Sequence, residues 1–128
     1  VDAAGHAEVW LDGGHNPAAG EALAEALGRL PARSTHLVTG MLRTKDVTGF
    51  LRPLAAGARD LRGVSIPGEA ATLSAEETVA AARDVGLAAQ AAPDVATAIG
   101  EIIARDPDCR ILICGSLYLA GQVLRANG

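Results

Sequence analysis

Strand-like apolar runs and capped helix starts alternate from one end of this chain to the other, which restricts its fold more than any other feature. The first strand signal runs from about Glu8 to Asp12, and Asn16-Pro17 then opens an alanine-rich helix that reaches Gly28. Asn accepts a hydrogen bond from an orphan helix N–H, and Pro fits the first helical position. A second strand, His36 to Gly40, precedes a helix beginning near Asp46, and a third, Leu61 to Ile66, is closed by Pro67-Gly68. Ser74-Ala75-Glu76-Glu77 spells a capping box at the head of a helix that stops at Gly86. Leu87 to Ala91 is a weak fourth strand, and Asp94 caps a helix ending near Asp106-Pro107. The last strand, Arg110 to Cys114, is apolar throughout its centre, as a strand buried on both faces must be, and Gly115-Ser116 turns it into a terminal helix. Five strands alternating with five helices predict an α/β fold: an open, mostly parallel sheet flanked by helices on both faces. Pro53 falls inside the second helix, where it removes a hydrogen bond and crowds the preceding turn, so a kink or break is expected there.

No repeat, low-complexity tract or linker divides the 128 residues, which predicts a single domain over residues 1–128. With one Trp, one Tyr, one Phe and one Met, the core must be built from Ala, Val, Leu and Ile. No apolar run approaches the length of a membrane span, and a net charge of -4 argues against a broad nucleic-acid or membrane surface. Val1 and the absence of a basic segment followed by an apolar one predict no signal peptide and a chain excised from something longer. Cys109 and Cys114 flank one strand, with side chains on opposite faces roughly 16 Å apart, so they cannot bridge each other. Two free thiols fit a cytoplasmic location.

In such a sheet the carboxyl ends of the strands share one edge, where ligands bind. Three polar groupings collect there: Asp12 to Asn16, Arg43 to Asp46, and Ser116 with Tyr118. Asp12 suits a ribose hydroxyl or an orienting role, but equally a turn bonded to the glycines after it. His15, one residue before a helix cap, can donate to a phosphate or carboxylate or exchange a proton. Asn16 is first a cap. Lys45 is the sole lysine, placed to meet a phosphate as a mobile charge, and Asp46 caps its helix. Ser116 can cap the last helix or offer its hydroxyl to an anion at the positive helix end. Leu117, Leu119, Val123 and Leu124 are expected in the core, Tyr118 suits rim or core with core the safer reading, and His6 and His36, before or at strand starts, are expected to be structural. No phosphate loop, metal-spaced cysteine–histidine set or nucleophile elbow is present, so no catalytic residue is assigned to the chain by itself.

Leu-Asp-Gly-Gly-His-Asn-Pro at 11–17, Gly-Met-Leu-Arg-Thr-Lys-Asp at 40–46 and Ile-Cys-Gly-Ser-Leu-Tyr-Leu-Ala-Gly at 113–121 occur together and in order. Together they resemble the C-terminal domain of the bifunctional folylpolyglutamate synthase/dihydrofolate synthase family, within the Mur ligase superfamily. The first motif is shared loosely by other Mur-type ligases, whereas the last is more specific to the folate branch. The resemblance implies a Rossmann-like domain closing over an N-terminal ATPase domain that carries the phosphate loop. It implies an ATP-dependent ligase in which a folate or pteroate carboxyl is phosphorylated and the glutamate amine attacks the acyl phosphate. Asp12 and His15 then match family residues that serve ATP and glutamate in the inter-domain cleft. Ser116 matches a serine on the glutamate side, Lys45 the lysine of the second loop, and Asn16 joins them as a contact. ATP and Mg2+ are implied for the full-length enzyme, with no metal ligand and no tightly bound cofactor in this domain. The implied partners are the ATPase domain, glutamate, and folate or dihydropteroate, with neither nucleic acid nor membrane. Gly14 stands where the family commonly has Ala, and Thr44 where it commonly has Asp. The isolated chain is expected to be inactive. The alternatives are another Mur-type amino acid ligase domain, which the Gly-Ser-Leu-Tyr segment disfavours, and a stand-alone nucleotide-binding α/β module. A receiver-type module would need an acidic cluster where Asp12 has glycines.

Overall fold

A computed structural model of the chain describes residues 7–127, which places His6 outside the described residues. Its elements run in strict alternation: β1 (Glu8–Leu11), α1 (Pro17–Arg29), β2 (Thr35–Thr39), α2 (Val47–Ala55), β3 (Asp60–Gly63), α3 (Ala75–Asp84), β4 (Ala89–Ala91), α4 (Val95–Arg105), β5 (Arg110–Cys114) and α5 (Leu117–Asn127). The strands form one sheet in the order β1-β5-β2-β3-β4, every pair parallel, with five strands and five helices as expected.

The two faces of the sheet bury separate clusters, set by the period-two alternation of strand side chains. Leu37, Leu61, Leu112 and Cys114 meet α1, α2 and α3 through Leu23, Leu27, Phe50, Leu51, Leu54, Val79 and Ala82. Val38, Ile111, Ile113 and Cys109 meet α4 and α5 through Ala98, Ile99, Ile102 and Leu119. The two free thiols therefore lie on opposite faces, as the strand period predicts, and burial pushes the Cys114 thiol up to about 12.

Two sequence expectations shift in detail. The ladder of β3 ends at Gly63 instead of Ile66, because its outer partner β4 is only three residues long and the Ile66 N–H is taken by the Thr72 hydroxyl at 2.8 Å. The expected break at Pro53 does not occur: α2 runs through this residue and stops two positions later. Pro53 forfeits only the bond its own N–H would make to Gly49 O, and buried Phe50, Leu51 and Leu54 anchor the helix to the core.

The order of strands fixes where ligand can bind. β5 lies between β1 and β2, whose outgoing connections cross the α1–α3 face, while β5 leads into α5 on the other face. Neighbouring strands whose connections depart to opposite faces open a crevice at their carboxyl ends. The opposite edge is closed by ion pairs. Glu8 sits between Arg33 and Arg110, both at 3.2 Å, and His36 sits between Asp60 and Asp106. His36 is thus structural, as expected. The hydrogen bond to Asp60 outweighs the effect of burial and raises the imidazole above its ordinary value.

Candidate functional site

Three loops meet at the crevice. The first leaves β1, where the Asp12 N–H still reaches Ile113 O of β5 at 3.0 Å. The Asp12 carboxylate then accepts the Gly14 N–H at 2.7 Å, closing a tight turn. Space at both glycines is tight: a Cβ on Gly13 would lie 2.9 Å from Leu117 Cδ1, and one on Gly14 2.7 Å from Ala19 Cβ. His15 Nδ1 donates to Gly13 O at 3.3 Å, which leaves Nε2 without a hydrogen-bond partner among the described residues. Asn16 caps α1, its side-chain oxygen accepting the Ala19 N–H at 2.8 Å.

The second loop, after β2, is pinned on one side and open on the other. Leu42 bridges Thr72, Leu73 N–H donates to Met41 O at 2.9 Å, and Arg43 N–H donates to Ala71 O at 2.8 Å. Arg43 also grips Glu77 with two guanidinium hydrogen bonds, at 2.8 and 3.0 Å. Those bonds, together with the Ser74 backbone N–H, hold the Glu77 carboxyl at about 2, well below the usual carboxylate range. Asp46 caps α2 through the Gly49 N–H at 3.0 Å. Half-buried Lys45 has no side-chain hydrogen bond or ion pair with any described residue.

The third loop is the shortest. Gly115 adopts a φ of +105°, a conformation that favours glycine, and a Cβ there would lie 2.8 Å from Met41 Cγ. Ser116, only 3% exposed, accepts the Tyr118 and Leu119 N–H groups at 3.0 and 3.3 Å.

These loops touch pairwise. Gly13 abuts Leu117 of α5, Gly115 abuts Gly40 and Met41, and Pro17 at the head of α1 abuts Gly49 at the head of α2. Three helix N-termini therefore share one rim, where their partial positive charges favour an anion. Asp12, His15, Asn16, Lys45 and Ser116, predicted from separate motifs, all stand on these three loops. Asp12, Asn16 and Ser116 are each engaged with local backbone, whereas Lys45 and His15 Nε2 have no side-chain partner among the described residues.

The core expected of α5 needs correction. Leu119 is buried and Val123 packs beside it, but Leu117, Tyr118 and Leu124 are 69%, 53% and 62% exposed. α5 covers the sheet with one stripe only, so residues off that stripe face outward whatever their polarity. Leu117 and Tyr118 stand at the rim itself. Arg43 was the residue not singled out in the sequence. Its partner Glu77 was legible as a capping-box residue, and nothing along the chain linked the two.

The rim is an open ledge. Cavities of about 490, 670 and 510 Å³ lie respectively near Arg33, Pro53 and Arg110, beside Arg43, Thr72 and Glu77, and between α4 and α5. None of the three is lined by Asp12, His15, Asn16, Lys45 or Ser116. Among the described residues no helix is long and apolar enough to cross a membrane.

Comparison with known proteins gives this ledge a context. Folylpolyglutamate synthase from Mycobacterium tuberculosis, solved with ADP, superposes with a TM-score of 0.82 and 29% identity, covering 94% of this chain and 30% of that one. FolC from E. coli, solved with DHPP and ADP, gives 0.80 and 26%, covering 93% and 28%. The bifunctional folylpolyglutamate synthase/dihydrofolate synthase from Yersinia pestis, solved with AMPPNP and Mn ion, gives 0.78 and 26%, again covering 93% and 28%. The chain thus spans under a third of the length of each. No curated protein sequence matches it. The family described as Mur ligase, glutamate ligase domain matches residues 1–117, and the chain belongs to that family.

Proposed function

We propose that this chain is the glutamate-ligase domain of an ATP-dependent ligase that adds glutamate to dihydropteroate, folates or both. The observation that carries this reading is the pairwise contact of three loops at the switch point of the sheet, each bearing one of the motifs that resemble the folate branch. In that chemistry ATP phosphorylates the acceptor carboxyl, releasing ADP, and the glutamate amine then attacks the acyl phosphate and expels phosphate. No residue of this rim acts as a nucleophile. Lys45, with its free ammonium, contacts phosphate as a point charge. His15 presents Nε2 to glutamate or phosphate, and Asp12 and Asn16 shape the turn that carries it. Ser116 fixes the start of α5 on the glutamate side. These groups position substrate and stabilise developing charge.

Magnesium does not fit this rim. The cation takes a shell of oxygen ligands, and Asp12 stands here among glycines and an imidazole with one oxygen already on the Gly14 N–H. Its ligands belong to the ATPase domain in this reading, as does the phosphate loop. The open ledge is then one wall of a cleft, and the isolated chain is inactive. Titration of ADP and of glutamate into the chain, followed by backbone amide NMR, tests the reading. Weak shifts confined to residues 12–16, 43–46 and 115–118 are expected, with no ATP-dependent amide synthesis. Shifts centred on other loops, or turnover by the chain alone, refute it.

A further inference from the structure

The amino-terminal edge of the sheet carries a polar cluster that the rim chemistry does not use. His36 is 6% exposed, with Nδ1 2.6 Å from Asp60 Oδ1 and Nε2 2.9 Å from Asp106 Oδ2. Cys109 lies three residues beyond Asp106, fully buried and free. One ligand atom from each of His36, Asp106 and Cys109 falls within 4.8 Å of the other two. Imidazole nitrogen, carboxylate oxygen and thiolate sulfur are the donors that zinc takes. Asp60 adds a second observation from a different strand. By accepting the Nδ1–H it turns Nε2 toward the other two donors, the orientation that carboxylates impose on metal-binding histidines.

We propose that His36 Nε2, an Asp106 oxygen and Cys109 Sγ form a zinc site at this edge, with Asp60 orienting the imidazole and water completing the tetrahedron. Tetrahedral zinc with bonds of about 2.0–2.3 Å sets its ligands about 3.5 Å apart, so the His36 Nε2–Asp106 pair, now 2.9 Å apart, opens by roughly 0.6 Å while Cys109 Sγ, within 4.8 Å of both, keeps or shortens its reach. Asp106 is placed to make that movement, since it follows the last turn of α4 and its side chain is 30% exposed. The same exposure gives the ion its way in. Charge also balances: carboxylate and thiolate together neutralise the dication, and the proton held between His36 and Asp106 leaves with the thiol proton. A thiolate ligand favours zinc over magnesium or manganese. The bound ion would tie β2 to the α4–β5 turn and raise the stability of the fold. The proposal does not depend on the function of the rim.

Cobalt(II) added to the metal-free chain tests it directly. A thiolate-to-cobalt charge-transfer band and the visible bands of a tetrahedral site are expected, both removed by zinc. Cys109→Ser should abolish the charge-transfer band and weaken zinc binding by at least about tenfold. Cys114→Ser, on the opposite face of the sheet, should retain both properties. Should Cys109→Ser fail to fold, Asp106→Asn serves in its place: the band persists and zinc binding weakens about tenfold or more. No charge-transfer band in the unsubstituted chain, a band that survives Cys109→Ser or vanishes in Cys114→Ser, or unchanged zinc affinity in Asp106→Asn overturns the proposal.

Discussion

Two glycines in one helix should respond to the same substitution with opposite signs. Gly20 and Gly28 both lie in α1, and neither has positive φ. Alanine at either gains about 1 kcal/mol of helix propensity. At Gly28 a new Cβ meets nothing within 4 Å, so the gain survives, reduced to roughly 0.5 kcal/mol by proximity to the helix end. At Gly20 the Cβ would run into the carbonyl oxygen of Phe50, and would lie 3.0 Å from its carbonyl carbon and 3.3 Å from its Cα. All three atoms are backbone of α2, so no rotamer change relieves the overlap, and the two helices must separate. Overpacking costs about 1–3 kcal/mol where side chains can adjust. Backbone against backbone puts Gly20→Ala near the upper end, for a net loss of about 2 kcal/mol after the propensity gain.

Urea denaturation measures both variants, and at about 4 °C per kcal/mol the thermal midpoint should fall by about 8 °C for Gly20→Ala and rise slightly for Gly28→Ala. Because Pro17 abuts Gly49, separating the helices also displaces the rim loops, visible as amide shifts at residues 12–16 and 45–49. Gly20→Ala at wild-type stability or above would show that α1 and α2 are not in backbone contact, and the argument for a fixed rim would fail with it.

Lys45→Ala should leave stability within about 0.5 kcal/mol of wild type, since its ammonium holds nothing in the fold, while ADP-induced amide shifts shrink. Asn16→Ala should do the reverse, costing about 1 kcal/mol through the lost cap while ligand shifts persist; equal stability losses in the two variants would refute this division of roles. Glu77→Gln removes a carboxyl whose folded pKa is depressed from 4.5 to about 2, so its stabilising contribution is complete above pH 4.5 and is lost as pH falls toward 2. Wild type and Glu77→Gln should therefore differ in urea midpoint at pH 5 and converge near pH 2, and a gap that stays constant with pH excludes the Arg43–Glu77 pair as its origin.

The strands, helices and caps were legible because they depend on local chemistry. Asn16, Asp46, Ser74 and Asp94 all cap the helices they were read to cap, and Ser74 and Glu77 form the full capping box. The continuous apolar run of β5 marked a strand buried on both faces, and all five of its residues are buried. What could not be read was long-range. Nothing in the run Leu117 to Leu124 announces that α5 buries a single stripe, so apolar spacing overstated its core. The pairing of Arg43 with Glu77 joins positions 34 apart, and that of His36 with Asp106 positions 70 apart; neither leaves a local signature. Pro53 misled for the opposite reason. A local rule predicted disruption, and packing of Phe50, Leu51 and Leu54 overrode it.

The five candidate rim residues are chemically unequal, and the inequality follows from hydrogen bonds already made. A buried polar group is stable only when it is satisfied, so groups bonded to local backbone serve the fold first. Asp12 holds Gly14, Asn16 holds Ala19, and Ser116 holds Tyr118 and Leu119. Each closes a turn or caps a helix, and together they bring three helix N-termini to one rim, where Asp12 keeps its own negative charge. The charge that a phosphate would meet comes from those N-termini and from Lys45, and the directional contact from His15 Nε2. A rim built this way gives an anion a preformed positive field but little enclosure, since the ledge has no facing wall within the described residues. Electrostatic stabilisation of that kind gains strength when water is excluded. The same residues should therefore act weakly on an open ledge and strongly once a second surface covers them, which is the physical reason to look for activity only in the closed, two-walled state.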